Sequence, residues 1–189
     1  IRDFCLSRGL GDVYKRQKRK RCEMFEIGDY VLNATNGICK IKEIVELDMS
    51  GDKNPKSYFL LRPIDEENDK VYIPVDNADK RIRKVINKEE AVSIIEMIPE
   101  VEELSISNEK ERETKYKTAV RSCEPRQIIS LLKCLRRRNE ERLANGKKST
   151  AVDERYLKMA VNNFHAELAF ALGRDKSEMD SIIEEMLAR

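Results

Sequence analysis

Several residues and motifs that many functional classes require are rare or missing in this chain. Its 189 residues include no tryptophan, one histidine, seven glycines and only 6% aromatic residues. No run approaches 18 consecutive apolar residues, which excludes a membrane-spanning helix. The P-loop, the HExxH zinc motif and the GxSxG nucleophile elbow are all missing. The sequence therefore points away from membrane proteins and from the common motif-bearing enzymes.

The histidine and the five cysteines offer little chemistry. His165 follows Phe164 in a predicted helix and has no base or metal partner near it in the sequence. The cysteines are odd in number and form no Cys-x-x-Cys pair, so neither a disulfide framework nor a zinc site is predicted. Cys39 and Cys134 fall on apolar faces and are interpreted as core residues. We expect reduced thiols, no cofactor, no metal, no catalytic residue and a cytoplasmic location.

The net charge of +2 is the sum of three regions of different sign. Residues 1–23 carry +5, residues 24–107 carry −7, and residues 108–189 carry +4. An acidic module joined to a basic module suits a protein that docks on another protein with one half and contacts nucleic acid with the other.

The first 23 residues have no helical or strand periodicity and end in a basic run. The segment CLSRGLGDVYKRQ resembles the translated linker sequence that recurs at the ends of metagenomic gene models. We therefore interpret residues 1–23 as a disordered, non-native tail and Met24 as the natural start.

Short strands separated by turn signals follow Met24. Asn36-Gly37 marks a tight turn, and Pro74 belongs at a strand end or at a sheet edge. The predicted strands are 30–32, 38–47, 57–62 and 71–74, with room for a fifth. In the second strand the residues predicted to fall on one side are Cys39, Ile41, Val45 and Leu47. Four or five short antiparallel strands predict a small sheet of the SH3 or Tudor kind. A helix capped by Asn87 and stopped by Pro99 completes a domain over residues 24–99.

The remainder of the chain has helical periodicity. Residues 100–107 are predicted to be an acidic linker, and residues 108–189 an all-α bundle of four helices. The first covers residues 109–121, and the second runs from Pro125 to near Asn145-Gly146. The third starts with the capping spacing at Thr150 and ends at Gly173, and the fourth begins after Ser177. The predicted fold class is α+β, with a small β domain followed by a helical domain.

Basic residues concentrate in the predicted helices. The candidate DNA-binding residues are Arg112, Lys115, Lys117, Arg155 and Lys158, to which the consecutive arginines 136–138 add charge. The alternative is a solvated face whose charge is balanced by neighbouring acids, namely Glu109, Glu111, Glu113, Glu140 and Glu141. The division of charge along the chain favours the DNA interpretation.

The order and spacing of residues in both halves resemble the CarD family of bacterial transcription regulators. In the first half the resemblance is carried by Met24-Phe-Glu-Ile-Gly28-Asp29-Tyr-Val31, Asn36-Gly37-Ile, Ile44, Gly51, Tyr58 to Leu61 and Ile73-Pro74-Val75. In the second half it is carried by Tyr116-Lys117 and by residues 128–141 and 150–172.

The resemblance implies a mechanism without catalysis. A Tudor-like domain would dock on the β subunit of RNA polymerase by pairing strand edges. The helical domain would contact promoter DNA, largely independently of sequence, at the upstream edge of the bubble and modulate open-complex stability. We also expect a monomer with no membrane partner.

Two departures from the family pattern affect these expectations. The family's tryptophan wedge, four residues before the tyrosine that matches Tyr116, falls here on Arg112, so a more electrostatic DNA contact is expected. The family's basic contacts to the polymerase fall on Leu47 and Tyr72, which mark the expected docking surface. One alternative is a polymerase-binding adaptor without DNA contact. Another is an enzyme acting on nucleic acid, which would need clustered carboxylates for Mg²⁺ that the sequence does not show.

Overall fold

The computed structural model describes residues 25–48, 55–66 and 68–187. These residues form two compact units, one of residues 25–31 and 39–84 and the other of residues 32–38 and 85–187. The predicted tail at residues 1–23 lies outside the described residues, as do residues 49–54 between the second and third predicted strands.

The first half of the chain forms an antiparallel five-stranded sheet with the order β4-β3-β2-β1-β5. The strands are β1 (Tyr30–Asn33), β2 (Gly37–Leu47), β3 (Lys56–Pro63), β4 (Val71–Pro74) and β5 (Ile82–Lys84). The α+β class is confirmed, as is the position of Pro74, which ends an edge strand. The core of this unit includes Phe25 and Phe59, whose rings meet edge to face with centroids 6.1 Å apart.

A β-bulge in β2 corrects one prediction about its faces. Ile41 pairs with Leu61, but Val45 pairs with Tyr58, because the register shifts by one residue between Ile41 and Glu43. Leu47 pairs with Lys56, which lies two residues from Tyr58 on β3. Val45 and Leu47 therefore both lie on the opposite face from Ile41, not on the same side. Strict alternation fails here because the bulge adds one residue to one strand without a partner on the other.

Five α-helices occur among the described residues. They are α1 (Lys88–Met97), α2 (Arg112–Ser122), α3 (Pro125–Ala144), α4 (Ala151–Leu172) and α5 (Lys176–Leu187). The predicted caps form: Asn87 makes a capping box with Glu90, and the Thr150 hydroxyl accepts a hydrogen bond from the Asp153 amide at 3.1 Å. Gly173 adopts the left-handed conformation that ends α4, with φ of 63°.

Helix α1 packs with the other helices of its unit. Its buried residues Ala91 and Ile94, and Ile98 beyond its end, share a core with Tyr116 and Leu131. The compact units therefore divide near residue 85, whereas the sequence placed the boundary at residues 100–107. An apolar stripe predicts a buried face, but it carries no information about which element covers that face.

The segment predicted to be a linker lies against the helical core. Val101 is buried, and the Leu104 amide donates to the Ser130 carbonyl at 3.0 Å. The Lys133 ammonium donates to the carbonyls of Pro99 and Val101 at 3.0 and 2.8 Å. The segment was predicted to be a linker because of its many glutamates, but its apolar residues anchor it to the helical core.

Removing the Lys133 ammonium tests whether this segment contributes to stability. We expect Lys133→Met to lower the free energy of unfolding by about 1–3 kcal/mol, because two carbonyls lose a charged donor while the aliphatic volume is kept. Urea unfolding checks this. Lys147→Met, at an exposed position after α3, is the control and should change little. Equal stability of the two variants would contradict the anchoring role.

Candidate functional site

Helices α2 and α4 lie side by side and run in the same direction. Near their starts, the Arg112 guanidinium lies 3.7 Å from the Asp153 carboxylate. About one turn further along each helix, the rings of Tyr116 and Tyr156 meet with centroids 5.6 Å apart. Because later residues of one helix contact later residues of the other, the two helices are parallel along this contact.

This arrangement brings two predicted DNA-binding lysines to one flank of the bundle. Arg155 pairs with Glu113 at 2.5 Å. Lys117 lies one turn after Glu113, and Lys158 one turn after Arg155, so the pair places both lysines on the same side of the two helices. Both lysines are exposed, and neither forms an ion pair with any residue in the described ranges. We call Lys117 and Lys158 the lysine flank.

The other three predicted DNA-binding residues already have partners within the helical unit. The Lys115 ammonium donates to the Ser105 carbonyl at 2.8 Å. Arg112 pairs with carboxylates and is only 18% exposed. Arg155 is exposed but holds Glu113 and lies over the Tyr156 ring. Carboxylates therefore partly neutralise the charges of Arg112 and Arg155, whereas the Lys115 ammonium keeps its charge and is held by a backbone carbonyl.

The consecutive arginines of α3 are paired as well. Arg136 contacts Glu184 at 2.5 Å and Glu140 at 3.6 Å. Arg137 contacts Glu103 at 2.7 Å and also contacts Glu141. For these arginines the arrangement matches the balanced, solvated face that the sequence left open as an alternative.

Arg112 and Arg138 converge in a cluster of four charges. Glu109 bridges both guanidinium groups from the exposed side, at 3.0 Å from Arg112 and 2.7 Å from Arg138. Asp153 lies on the buried side, 3.7 and 3.9 Å from their Nε atoms. The hydrogen bond from Arg138 lowers the pKa of Glu109, which keeps this carboxylate charged. We call these four residues the Arg112–Arg138 cluster.

A buried tyrosine lies beside this cluster. Burial raises the pKa of the Tyr116 hydroxyl, and the negative charge of Asp153 raises it further. The hydroxyl therefore stays protonated at neutral pH. In the sequence, Glu109 is a candidate for charge balance, and Asp153 completes the capping spacing that begins at Thr150. No spacing rule connects residues this far apart in the chain.

The two predicted docking residues share one face of the sheet. Leu47 pairs with Lys56, and Tyr72 pairs with Leu60. Lys56 and Leu60 are four residues apart on β3, so their partners lie on the same face. This face is opposite to the one that carries Phe59, and both Leu47 and Tyr72 are half-buried on it. Tyr72 belongs to β4, an edge strand.

Groups suited to catalysis or metal binding are sparse in the described part of the chain. His165 is buried, with its Nδ1 against the carboxylate of Asp180. Across residues 25–48, 55–66 and 68–187, no three His, Cys, Asp or Glu side chains are grouped so that they could hold a metal ion. Within the same ranges, no helix combines the length and apolar character needed to cross a membrane.

The first part of the described chain matches a known family model. Residues 25–86 match the family model of the CarD-like/TRCF RID domain, whereas no curated protein matches the chain. The resemblance to CarD-like proteins is confirmed over these residues, and the resemblance of the helices beyond residue 86 stays a prediction. The domain is a Tudor-like, non-catalytic interaction domain, and it indicates an RNA polymerase-interacting, transcription-related protein.

Proposed function

We propose, on the basis of the CarD-like/TRCF RID domain at residues 25–86, that this protein is a transcription regulator with two contacts. The sheet unit binds the β subunit of RNA polymerase. The helical unit contacts promoter DNA at the upstream edge of the bubble and modulates the stability of the open complex. The domain match is the observation that carries the proposal.

Strand β4 supports a docking mode by strand addition. An edge strand presents unpaired backbone groups that can accept a strand from a partner protein. Leu47 and Tyr72 lie on one face of the same sheet, where their side chains can add specificity to the backbone hydrogen bonds. The docking surface we propose is therefore the β4 edge together with this face.

The lysine flank supports a sequence-independent contact with DNA. Lys117 and Lys158 are exposed cations on adjacent helices, and ammonium groups on flexible stems suit phosphate oxygens. Arg112, Lys115 and Arg155 complete the proposed DNA-binding set. Each of these three already contacts another group of the protein, so each binds a DNA phosphate only after the phosphate has replaced that contact.

A polymerase-binding adaptor without DNA contact is the second candidate function. The observation that favours it is the pairing of the arginines with carboxylates, which reduces the positive field of the helical unit. The family's tryptophan wedge is also replaced by Arg112, a residue that is mostly buried. The adaptor would still use the β4 edge.

The lifetime of a promoter open complex separates the two candidates. With the full chain added to bacterial RNA polymerase on promoter DNA, we expect the complex to survive a heparin challenge several-fold longer, because upstream DNA contacts shift the population toward the open state. Polymerase binding in a pull-down is the parallel measurement. Binding without a change in lifetime would indicate the adaptor.

A further inference from the structure

The Arg112–Arg138 cluster has the geometry of an anion site that the protein itself occupies. Glu109 Oε1 accepts a hydrogen bond from Arg138 Nη1 at 2.7 Å. Glu109 Oε2 accepts from Arg138 Nη2 at 3.2 Å and from Arg112 Nη1 at 3.0 Å. One carboxylate thus fills a bidentate fork and also bridges to the second guanidinium. The same donor geometry binds phosphate oxygens.

A buried carboxylate faces the two arginines from the side opposite to Glu109. Asp153 is buried, with its side chain only 6% exposed, and it faces both Nε atoms at ion-pair distances. It lies in the first turn of α4, whose N-terminus also favours a negative charge. Each arginine side chain is 18% exposed. Within the described residues neither Nε atom and neither Asp153 oxygen makes a hydrogen bond, so the attraction is electrostatic. Asp153 therefore keeps a negative charge behind both guanidinium groups, whatever occupies the exposed side.

Glu109 is the one member of the cluster that can readily leave. Its side chain is 63% exposed, and it starts a three-residue 3-10 turn, Glu109–Glu111. The side chain can swing into solvent by rotation about its own torsions, without moving a helix. When it leaves, the two arginines face one buried carboxylate, and the cluster carries one uncompensated positive charge.

We propose that Arg112 and Arg138 form a binding site for a phosphate group of the DNA backbone, and that Glu109 occupies this site until DNA displaces it. A phosphodiester carries one negative charge, as the Glu109 carboxylate does, so the exchange keeps the cluster neutral. Arg112 immediately precedes Glu113, whose pairing with Arg155 positions the lysine flank. The site therefore adjoins further cations that neighbouring phosphates can use. This inference rests on the proposed contact of the helical unit with DNA.

Neutralising Glu109 is the direct test. In the full chain, Glu109→Gln should tighten binding to duplex DNA by about 3- to 10-fold at 0.1 M salt. The slope of log K against log salt should stay close to the wild-type value, because the same phosphate contact forms in both proteins and the substitution removes only the carboxylate that competes for the site. Glu111→Gln is the matched control. It makes the same charge change two residues away, where Glu111 contacts the Asn108 amide instead of an arginine.

A second substitution distinguishes a defined site from a general gain of positive charge. Adding Arg138→Lys to Glu109→Gln keeps the charge that Asp153 needs but removes the bidentate fork. We expect most of the gain in DNA affinity to disappear. Equal gains for Glu109→Gln and Glu111→Gln, or a gain that survives Arg138→Lys, would overturn the proposal.

Inorganic phosphate tests the site independently of DNA. Millimolar phosphate should raise the melting temperature of Glu109→Gln more than that of the Glu111→Gln control at equal ionic strength. A phosphate response without tighter duplex binding would assign the site to a free oxyanion and overturn its role in DNA contact. Failure of the proposed function would give a different result. In that case the wild-type protein would show no salt-dependent binding of duplex DNA, whatever the phosphate result.

Discussion

Replacing Lys117 and Lys158 together with alanine is expected to weaken binding to duplex DNA by about 10- to 60-fold at 0.1 M salt. Each phosphate contact contributes about 0.9 to the slope of log K against log salt, so two contacts account for a loss of this size. The slope should fall by about 1.8. The loss should be similar on unrelated DNA sequences, because phosphate contacts carry no sequence information.

The choice of these two lysines follows from their surroundings. Arg112 and Arg155 hold carboxylates, so replacing either one would mix an effect on DNA with the cost of an unpaired acid. Lys117 and Lys158 have no such partner within the described residues, and their removal should leave the thermal stability nearly unchanged. Fluorescence anisotropy over a range of salt concentrations measures both the affinity and the slope.

A matched control removes two exposed lysines from the sheet unit. Lys56→Ala with Lys70→Ala changes the net charge equally and should leave the slope within about 0.3 of the wild-type value. If both double variants lose the same affinity, the DNA contact depends on overall charge and not on the lysine flank. If neither variant changes the slope, the adaptor function is favoured.

The second large effect concerns the sheet. Replacing Tyr72 with glutamate, alone or with Leu47→Glu, is expected to reduce polymerase binding by about 30-fold or more. When the polymerase binds, a charge in the centre of the docking surface loses its hydration without gaining a partner. This weakens the binding free energy by about 2 kcal/mol or more. Duplex DNA binding should be retained, because it belongs to the other unit.

A pull-down with RNA polymerase, or with its isolated β subunit, measures this loss. Val92→Glu is the control, since Val92 is an exposed apolar residue of helix α1 in the helical unit. Far-UV circular dichroism verifies that the substituted sheet is folded. Wild-type affinity of the folded Tyr72→Glu variant would place the docking surface elsewhere on the protein.

Much of the local structure was predictable from the sequence. The strand at residues 71–74 and the helix starts at Asn87, Pro125 and Thr150 were predicted from cap and turn chemistry. These signals depend on residues within a few positions of one another, so no tertiary contact is needed to interpret them. The helix predicted to start at residue 109 begins instead at Arg112, after a 3-10 turn.

The functional assignment of the cations was less predictable. A lysine and an arginine contribute equally to a charge count, yet Lys158 is exposed and Arg138 is engaged on both sides. The partners of Arg138 are Glu109 and Asp153, which are 29 and 15 residues away in the chain. Periodicity places each of these residues on a helix face, but it does not say which faces meet.

By itself, the sequence determined the α+β class, most element boundaries, the caps and the family resemblance of the first unit. The tertiary structure decided three other features: the bulge that turns Val45 away from Ile41, the packing of α1 with the helical core, and the pairing that separates the lysine flank from the Arg112–Arg138 cluster. The physical reason is the range of the interactions. Backbone propensity and capping act within one or two turns, whereas burial and ion pairing depend on segments that only the folded chain brings together.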